Sequence, residues 1–169
     1  MRSITWWPIL LLIAIATVID IRSRRIPNWL VIPYLLAGII VSTATLGLAG
    51  LGQSAAGIGL AVLVTGIPCW LRGMGMGDLK LCAAVGAWVG AAQLGTALVA
   101  TGLAGGVMAL IWAASHGSLK SSIDGAGDLI WRWNKGIRHP VPRLDTPGAR
   151  AMPYAPAIAI GTLFSFLSL

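Results

Sequence analysis

Acidic residues are scarce in this chain: five in 169 residues, all of them aspartate, with no glutamate anywhere. Charged residues of either sign make up only 10%, where a soluble domain carries about a quarter. That shortage, with 57% apolar residues, excludes an ordinary soluble enzyme and places the chain under the rules of a bilayer. Cysteine is nearly absent as well. Cys69 and Cys82 form no C-x-x-C, and a structural zinc site normally asks for four ligands, so they are read as small apolar residues at helix ends. There is no H-E-x-x-H, no phosphate-binding glycine loop and no Ser/His/Asp or Cys/His arrangement. His116 and His139 fall in a polar loop and are read as solvated, and neither a metal nor a cofactor is expected.

What is present is a series of apolar runs at about 5–20, 28–48, 55–71, 79–92, 94–114 and 152–169. Residues 81–115 contain no charge; as one straight helix they would reach about 52 Å, against a hydrocarbon core of about 30 Å. The stretch must fold back, and Gly90–Gly95 is the place for it. The expectation is therefore an all-α, single-domain bundle of six transmembrane helices over residues 1–169. Segments 21–27, 72–80 and 115–151 hold nearly all the charge, while those around 47–54 and 90–95 hold none. The positive-inside rule then puts the charged set in the cytoplasm and both termini outside, with Arg2 the one basic residue on the wrong side.

The net charge of +7 is thus spent on loops beside a membrane, and nucleic acid is not an expected partner. Trp6 and Trp7 at one end and Trp29, Trp70 and Trp112 at the other suit aromatic belts, whereas Trp88 also suits a core position. Pro27 is expected to open the second span, and Pro33 and Pro68 to bend the second and third. Gly86-x-x-x-Gly90 and Gly102-x-x-x-Gly106 offer close helix contacts. Residues 1–16 have a signal-peptide outline, but cleavage there would leave Asp20 without a span, and the three arginines after it favour retention. The loop 115–151, with Trp131 and Trp133 among Asp124, Asp128, Arg132 and Lys135, suits either an interfacial helix or a mobile loop that meets substrate.

Two aspartates touch the apolar segments. Asp20 closes the first run and Asp78 opens the fourth, inside Gly75-Met76-Gly77-Asp78, so both fall at the same membrane face. Ionisable groups in such positions are costly and usually functional. Two converging carboxylates cannot both ionise; one then activates water while the other protonates a carbonyl, which is the chemistry of aspartyl hydrolysis. The proton belongs to the pair, although a helix dipole favours the anion at Asp78, at a helix start, over Asp20, at a helix end. Gly73, Gly75 and Gly77 leave a backbone edge clear of side chains, where an extended peptide could add as a strand, so Gly75 and Gly77 are candidate substrate-binding positions. Plainer readings compete: Asp20 pairing with Arg22, Arg24 or Arg25, and Asp78 serving as a helix cap or pairing with Lys80. Lys80 itself reads as a snorkelling anchor.

The runs Asp20-Ile21-Arg22-Ser23-Arg24-Arg25-Ile26-Pro27-Asn28, Gly75-Met76-Gly77-Asp78-Leu79-Lys80-Leu81 and Met152-Pro153-Tyr154-Ala155-Pro156 with Gly161 occur in an order that resembles the type IV prepilin leader peptidase family. The small size is similar to its short CpaA/TadV-type members of the Tad (Flp) pilus system. The resemblance implies a GxGD aspartic endopeptidase of the bacterial cytoplasmic membrane. Its substrate would be a prepilin or pseudopilin, cut behind a basic leader at the inner face, with Asp20 and Asp78 matching the catalytic aspartates. Larger relatives also methylate the new N-terminus, using a region with paired C-x-x-C motifs; none occurs here, nor room for it ahead of Asp20, so peptidase activity without methylation is expected. A basic leader would be repelled by Arg22, Arg24, Arg25 and Lys80; anionic lipid or Asp124, Asp128 and Asp145 would have to draw it in. The alternatives are a proton-coupled transporter relaying protons through the two aspartates, and a non-enzymatic scaffold for pilus assembly. The oligomeric state is left open.

Overall fold

The computed structural model describes residues 6–23, 26–70, 74–115 and 154–167. Within them the chain is all helix: α1 (Trp6–Ser23), α2 (Asn28–Leu46), α3 (Leu48–Trp70), α4 (Met76–Ser115) and α5 (Ala155–Leu167). Backbone polar groups in an apolar solvent must be satisfied within their own segment, which leaves helices as the economical choice for such sequences. Three helical stretches are long and apolar enough to cross a membrane, namely Asn28–Leu46, Leu48–Trp70 and Met76–Ile111, and Ala155–Leu167 is a shorter apolar helix. Large side chains such as Leu11, Ile40, Leu63, Leu103 and Leu110 face outward, while alanines including Ala16, Ala61, Ala84, Ala87 and Ala157 fill the centre beside Leu12, Leu81, Val85 and Ile158.

α4 is broken at Gly90, whose φ of 78° and ψ of 175° lie outside any helix. A positive φ is open to glycine at no steric cost, so the break sits where the sequence permits it. Its two limbs, 76–89 and 91–115, fold back on each other. Tyr154 lies against Gly105 of the second limb and within electrostatic range of Asp78 and Cys82 on the first. An unbroken helix would hold those positions more than about 30 Å apart. At the turn, Ser54 donates to the Ala87 carbonyl at 2.6 Å and Gln53 packs beside Gly90, so the start of α3 braces the break.

The connection expected over 47–54 shrinks to a single residue. Gly47, with φ of 62°, caps α2 through its N–H to the Thr43 carbonyl (2.8 Å), and its own carbonyl then accepts from Gly50 (3.0 Å) and Leu51 (3.2 Å) to open α3. Pro27 occupies the N-cap of α2, and Pro33 and Pro68 lie inside α2 and α3. Trp7, Trp29 and Trp70 are exposed, whereas Trp88 is half-buried and donates its indole N–H to the Tyr34 carbonyl at 2.7 Å, an interhelical role. The side chains of Trp6 and Trp112, Arg24, Arg25, His116, His139 and the interfacial stretch within 115–151 lie outside the described residues.

Close helix contacts are made at glycines, with different partners from the two G-x-x-x-G motifs. Gly86 meets Gly57 backbone to backbone, and Gly161 of α5 sits on Ala97 and Thr101 of α4. Gly90 belongs to the turn, and Gly102 and Gly106 face open space. A side chain at position 161 would collide with the Ala97 carbonyl at 2.5 Å and the Thr101 amide at 2.6 Å, which backbone cannot vacate cheaply. Gly161→Val is therefore expected to destabilise the folded protein by about 3 kcal/mol or more, whereas Gly59→Ala, facing open space, is expected to be nearly neutral; thermal unfolding in detergent compares them.

Candidate active site

Asp20 lies in the last turn of α1 and is 6% exposed; Asp78 lies in the first turn of α4 and is 9% exposed. The sequence places them at the same end of the bundle, and the structure brings them within electrostatic range of each other. Neither carboxylate is buried bare. Asp20 accepts the Ala155 N–H at 3.1 Å through Oδ2, and Asp78 accepts the Gly75 N–H. Such bonds matter because a buried carboxylate without donors is costly.

Of the plainer readings, a pairing of Asp20 with Arg24 or Arg25 falls outside the described residues. Asp20 turns inward to α5, while Arg22 is exposed. Lys80 sends its ammonium to Asn28 Oδ1 at 2.9 Å, pinning α4 to the start of α2. Asp78 does have a capping part. The Gly75 carbonyl accepts from the Asp78 N–H (3.1 Å) and the Leu79 N–H (3.5 Å), while the Asp78 carboxylate returns to the Gly75 N–H. This reciprocal arrangement is a capping box with aspartate in the third helical position. It fixes the carboxylate relative to the helix end.

The glycine segment differs from the extended edge expected over Gly73–Gly77. Helix α4 already begins at Met76, so Gly77 is in its first turn, and the Gly75 carbonyl is occupied by the helix and by the Cys69 thiol, which donates at 3.3 Å. What Gly75 and Gly77 supply is room. A Cβ at Gly75 would stand 3.1 Å from Asp78 Oδ2, and one at Gly77 would press on Ile26 at 3.0 Å. Gly75 is also exposed. Gly73 lies outside the described residues. Cys69 and Cys82 are free, buried, and within electrostatic range of Asp78. Among the described residues no group of three or more His, Cys, Asp or Glu could hold a metal ion.

Sequence reasoning quoted the Tyr154-Ala155-Pro156 run without assigning it a role. The structure puts it at the site, Ala155 through its amide and Tyr154 beside Asp78 and Cys82. A signal was available: proline near a helix start marks a terminus with spare N–H donors, and a carboxylate from elsewhere in the chain suits such donors. Each carboxylate also meets a helix N-terminus, Asp78 at that of α4 and Asp20 at that of α5, although Asp20 remains in the last turn of α1. Two coupled carboxylates, one of them beside an open glycine, form a constellation suited to acid–base hydrolysis.

Comparison with known proteins points the same way. The family model described as the type IV leader peptidase family matches residues 7–110. A "Prepilin leader peptidase/N-methyltransferase" of Xanthomonas campestris pv. campestris is 33% identical over 107 residues, covering 59% of this chain and 37% of that protein. A protein of the same description from Neisseria gonorrhoeae is 33% identical over 147 residues, covering 74% of this chain and 50% of its own. A third, from Aeromonas hydrophila, is 33% identical over 101 residues, 56% of this chain and 34% of the relative. The chain thus spans half or less of the length of these curated relatives. No solved structure matches it.

The meeting of α1 and α4 can be tested without any substrate. With Cys69 and Cys82 replaced by alanine, cysteines placed at Asp20 and Asp78 are expected to be joined by a short bifunctional thiol reagent in membranes. Cysteines at Asp20 and at Gly90, which lies at the end of α4's first limb opposite Asp78, are expected to stay unlinked. Gel mobility after cleavage of an engineered protease site between them reads the result.

Proposed function

The chain belongs to the type IV leader peptidase family, and from that membership we propose that it is a membrane aspartyl endopeptidase that removes the leader from type IV prepilins. The observation that carries this reading is the placement of Asp20 and Asp78, from separate helices, at one end of an apolar bundle and within electrostatic range of each other. Asp20 and Asp78 are the proposed catalytic pair. Water between the two carboxyl groups loses a proton to the ionised one and attacks the scissile carbonyl, whose oxygen takes a proton from the other. Collapse of the tetrahedral intermediate breaks the C–N bond, and the leaving amine departs with the proton held by the pair.

Gly75 and Gly77 are proposed to admit the substrate backbone to Asp78. The exposed Gly75 and the absence of a Cβ beside Asp78 Oδ2 support that placement. The protein is a multi-pass membrane protein. We take α4 to supply two crossings, hinged at Gly90, and α1, α2, α3 and α5 one each, with both termini outside. The site then lies at the cytoplasmic face of the bacterial inner membrane. The charge of the connecting segments supports that orientation, and the shared end of Asp20, Lys80 and Tyr154 supports the pairing.

The proposed substrate class is the short Flp-like prepilin of the Tad system, and the proposed activity lacks N-methylation. The second point is supported by the absence of any C-x-x-C in the 169 residues. A proton-coupled transporter gains nothing from the geometry, because both acids lie at one end of the bundle, whereas transporter sites cluster near mid-depth.

Cleavage of a detergent-solubilised Flp-type prepilin is expected to fall by about 10³-fold or more in Asp20→Asn and in Asp78→Asn, with unfolding temperatures close to wild type. The cleaved pilin is expected to carry no methyl group after incubation with labelled S-adenosylmethionine. Full cleavage by either variant would remove the aspartate pair from the mechanism.

A further inference from the structure

The first turn of α5 reaches the site with a backbone group. Ala157 and Ile158 both turn their N–H groups back to the Tyr154 carbonyl, at 3.0 and 3.3 Å, and Pro156 has no N–H to give. The Ala155 amide is then the donor that the helix cannot use for itself. It goes to Asp20 Oδ2 at 3.1 Å, across 135 positions of sequence. Ala155 is fully buried and Asp20 nearly so, which keeps water from replacing this bond easily.

The turn that carries the amide is fixed on both sides. Tyr154 is laid on Gly105, where a Cβ would stand 2.5 Å from its hydroxyl, and Gly161 seats α5 on the backbone of Ala97 and Thr101. The same turn brings Tyr154 beside Asp78. Without the amide, Asp20 would be drawn elsewhere: Arg22 is exposed two residues on, and Arg24 and Arg25 follow in the sequence. A carboxylate at the end of α1 has therefore two choices, the basic run or the interior, and the Ala155 N–H decides between them.

We infer that the first turn of α5 is a positioning element for hydrolysis, in which the Ala155 N–H holds the Asp20 carboxylate toward Asp78 in the interior of the bundle. The inference rests on the reading of Asp20 and Asp78 as the catalytic pair. It assigns Ala155 no contact with substrate. Its removal should slow the chemical step and leave substrate binding in place.

Proline is the natural probe, because the first helical position accepts it and it lacks the N–H. Ala155→Val adds comparable bulk and keeps the N–H. Replacing Ala155 by lactic acid, installed by nonsense suppression, exchanges the amide for an ester with almost no change of shape. All three are assayed in detergent with the Flp-type prepilin, beside wild type, Asp20→Asn and Asp78→Asn. In Ala155→Pro and in the ester, kcat is expected to fall about tenfold or more with KM held within about twofold, while Ala155→Val stays near wild type. If Asp20→Asn is inactive and the ester keeps wild-type kcat, the positioning role is overturned and the peptidase reading stands. Equal losses in Ala155→Val and Ala155→Pro, with the ester unaffected, make the effect one of packing and overturn it too. Wild-type protein that leaves the prepilin uncut, or an active Asp20→Asn, overturns the function reading and this inference with it.

Discussion

Two carboxylates kept from water in an apolar bundle set the terms for the rest of this structure. A buried anion without donors costs several kcal/mol, and in this chain the donors are backbone amides. Asp78 takes the Gly75 N–H and Asp20 takes the Ala155 N–H. Amides at helix starts are the spare donors of an otherwise self-satisfied backbone, so each acid has to lie at a helix N-terminus. One does so within its own helix. The other borrows the start of α5, the last helix in the chain, and this ties the two ends of the sequence together.

That tie demands precision from the remaining helices, and glycine provides it. Gly90 turns α4 back so that its second limb offers a surface to α5. Gly161 lets α5 settle on that limb at backbone distance, and Gly105 leaves room for Tyr154. Gly57 and Gly86 bring α3 against the first limb, and Ser54 locks the far end of the pair. Lys80 holds the near end of α4 to Asn28 at the start of α2. Association within lipid has little hydrophobic drive, so close van der Waals contact and a few such polar bonds have to hold the arrangement.

Much of this was legible in the residues. The positions of Asp20 and Asp78 at the ends of apolar runs put them at one face, and the uncharged length of 81–115 demanded a break that glycine could supply. The glycine contacts were less legible, because G-x-x-x-G spacing marks a small face without naming its partner. Gly86 pairs with Gly57 in another helix, and Gly102 and Gly106 face outward. The strand edge expected at Gly75–Gly77 failed for a related reason. Glycine permits many backbones, and here the helix start claimed the segment, because a helix satisfies more of its amides and carbonyls than an unpaired edge does. The Asp20–Ala155 bond was not legible at all: a backbone amide has no letter in the sequence, and only the fold places it.

The electrostatics of the site bear on the difficulty that a basic leader faces at a basic surface. Arg22 is exposed, and Lys80 is already engaged with Asn28. Gly75 is exposed and without a side chain, next to an acid held at its helix end by that same glycine. In a medium of low dielectric, a pair of close carboxylates also attracts a cationic chain more strongly than solvated arginines repel it, because water screens the latter. The acids would then help draw in the leader they are proposed to cut, without the acidic residues of the 115–151 segment being needed for attraction. On that view Gly75 serves the reaction twice, by fixing Asp78 through its amide and by leaving open the path to it.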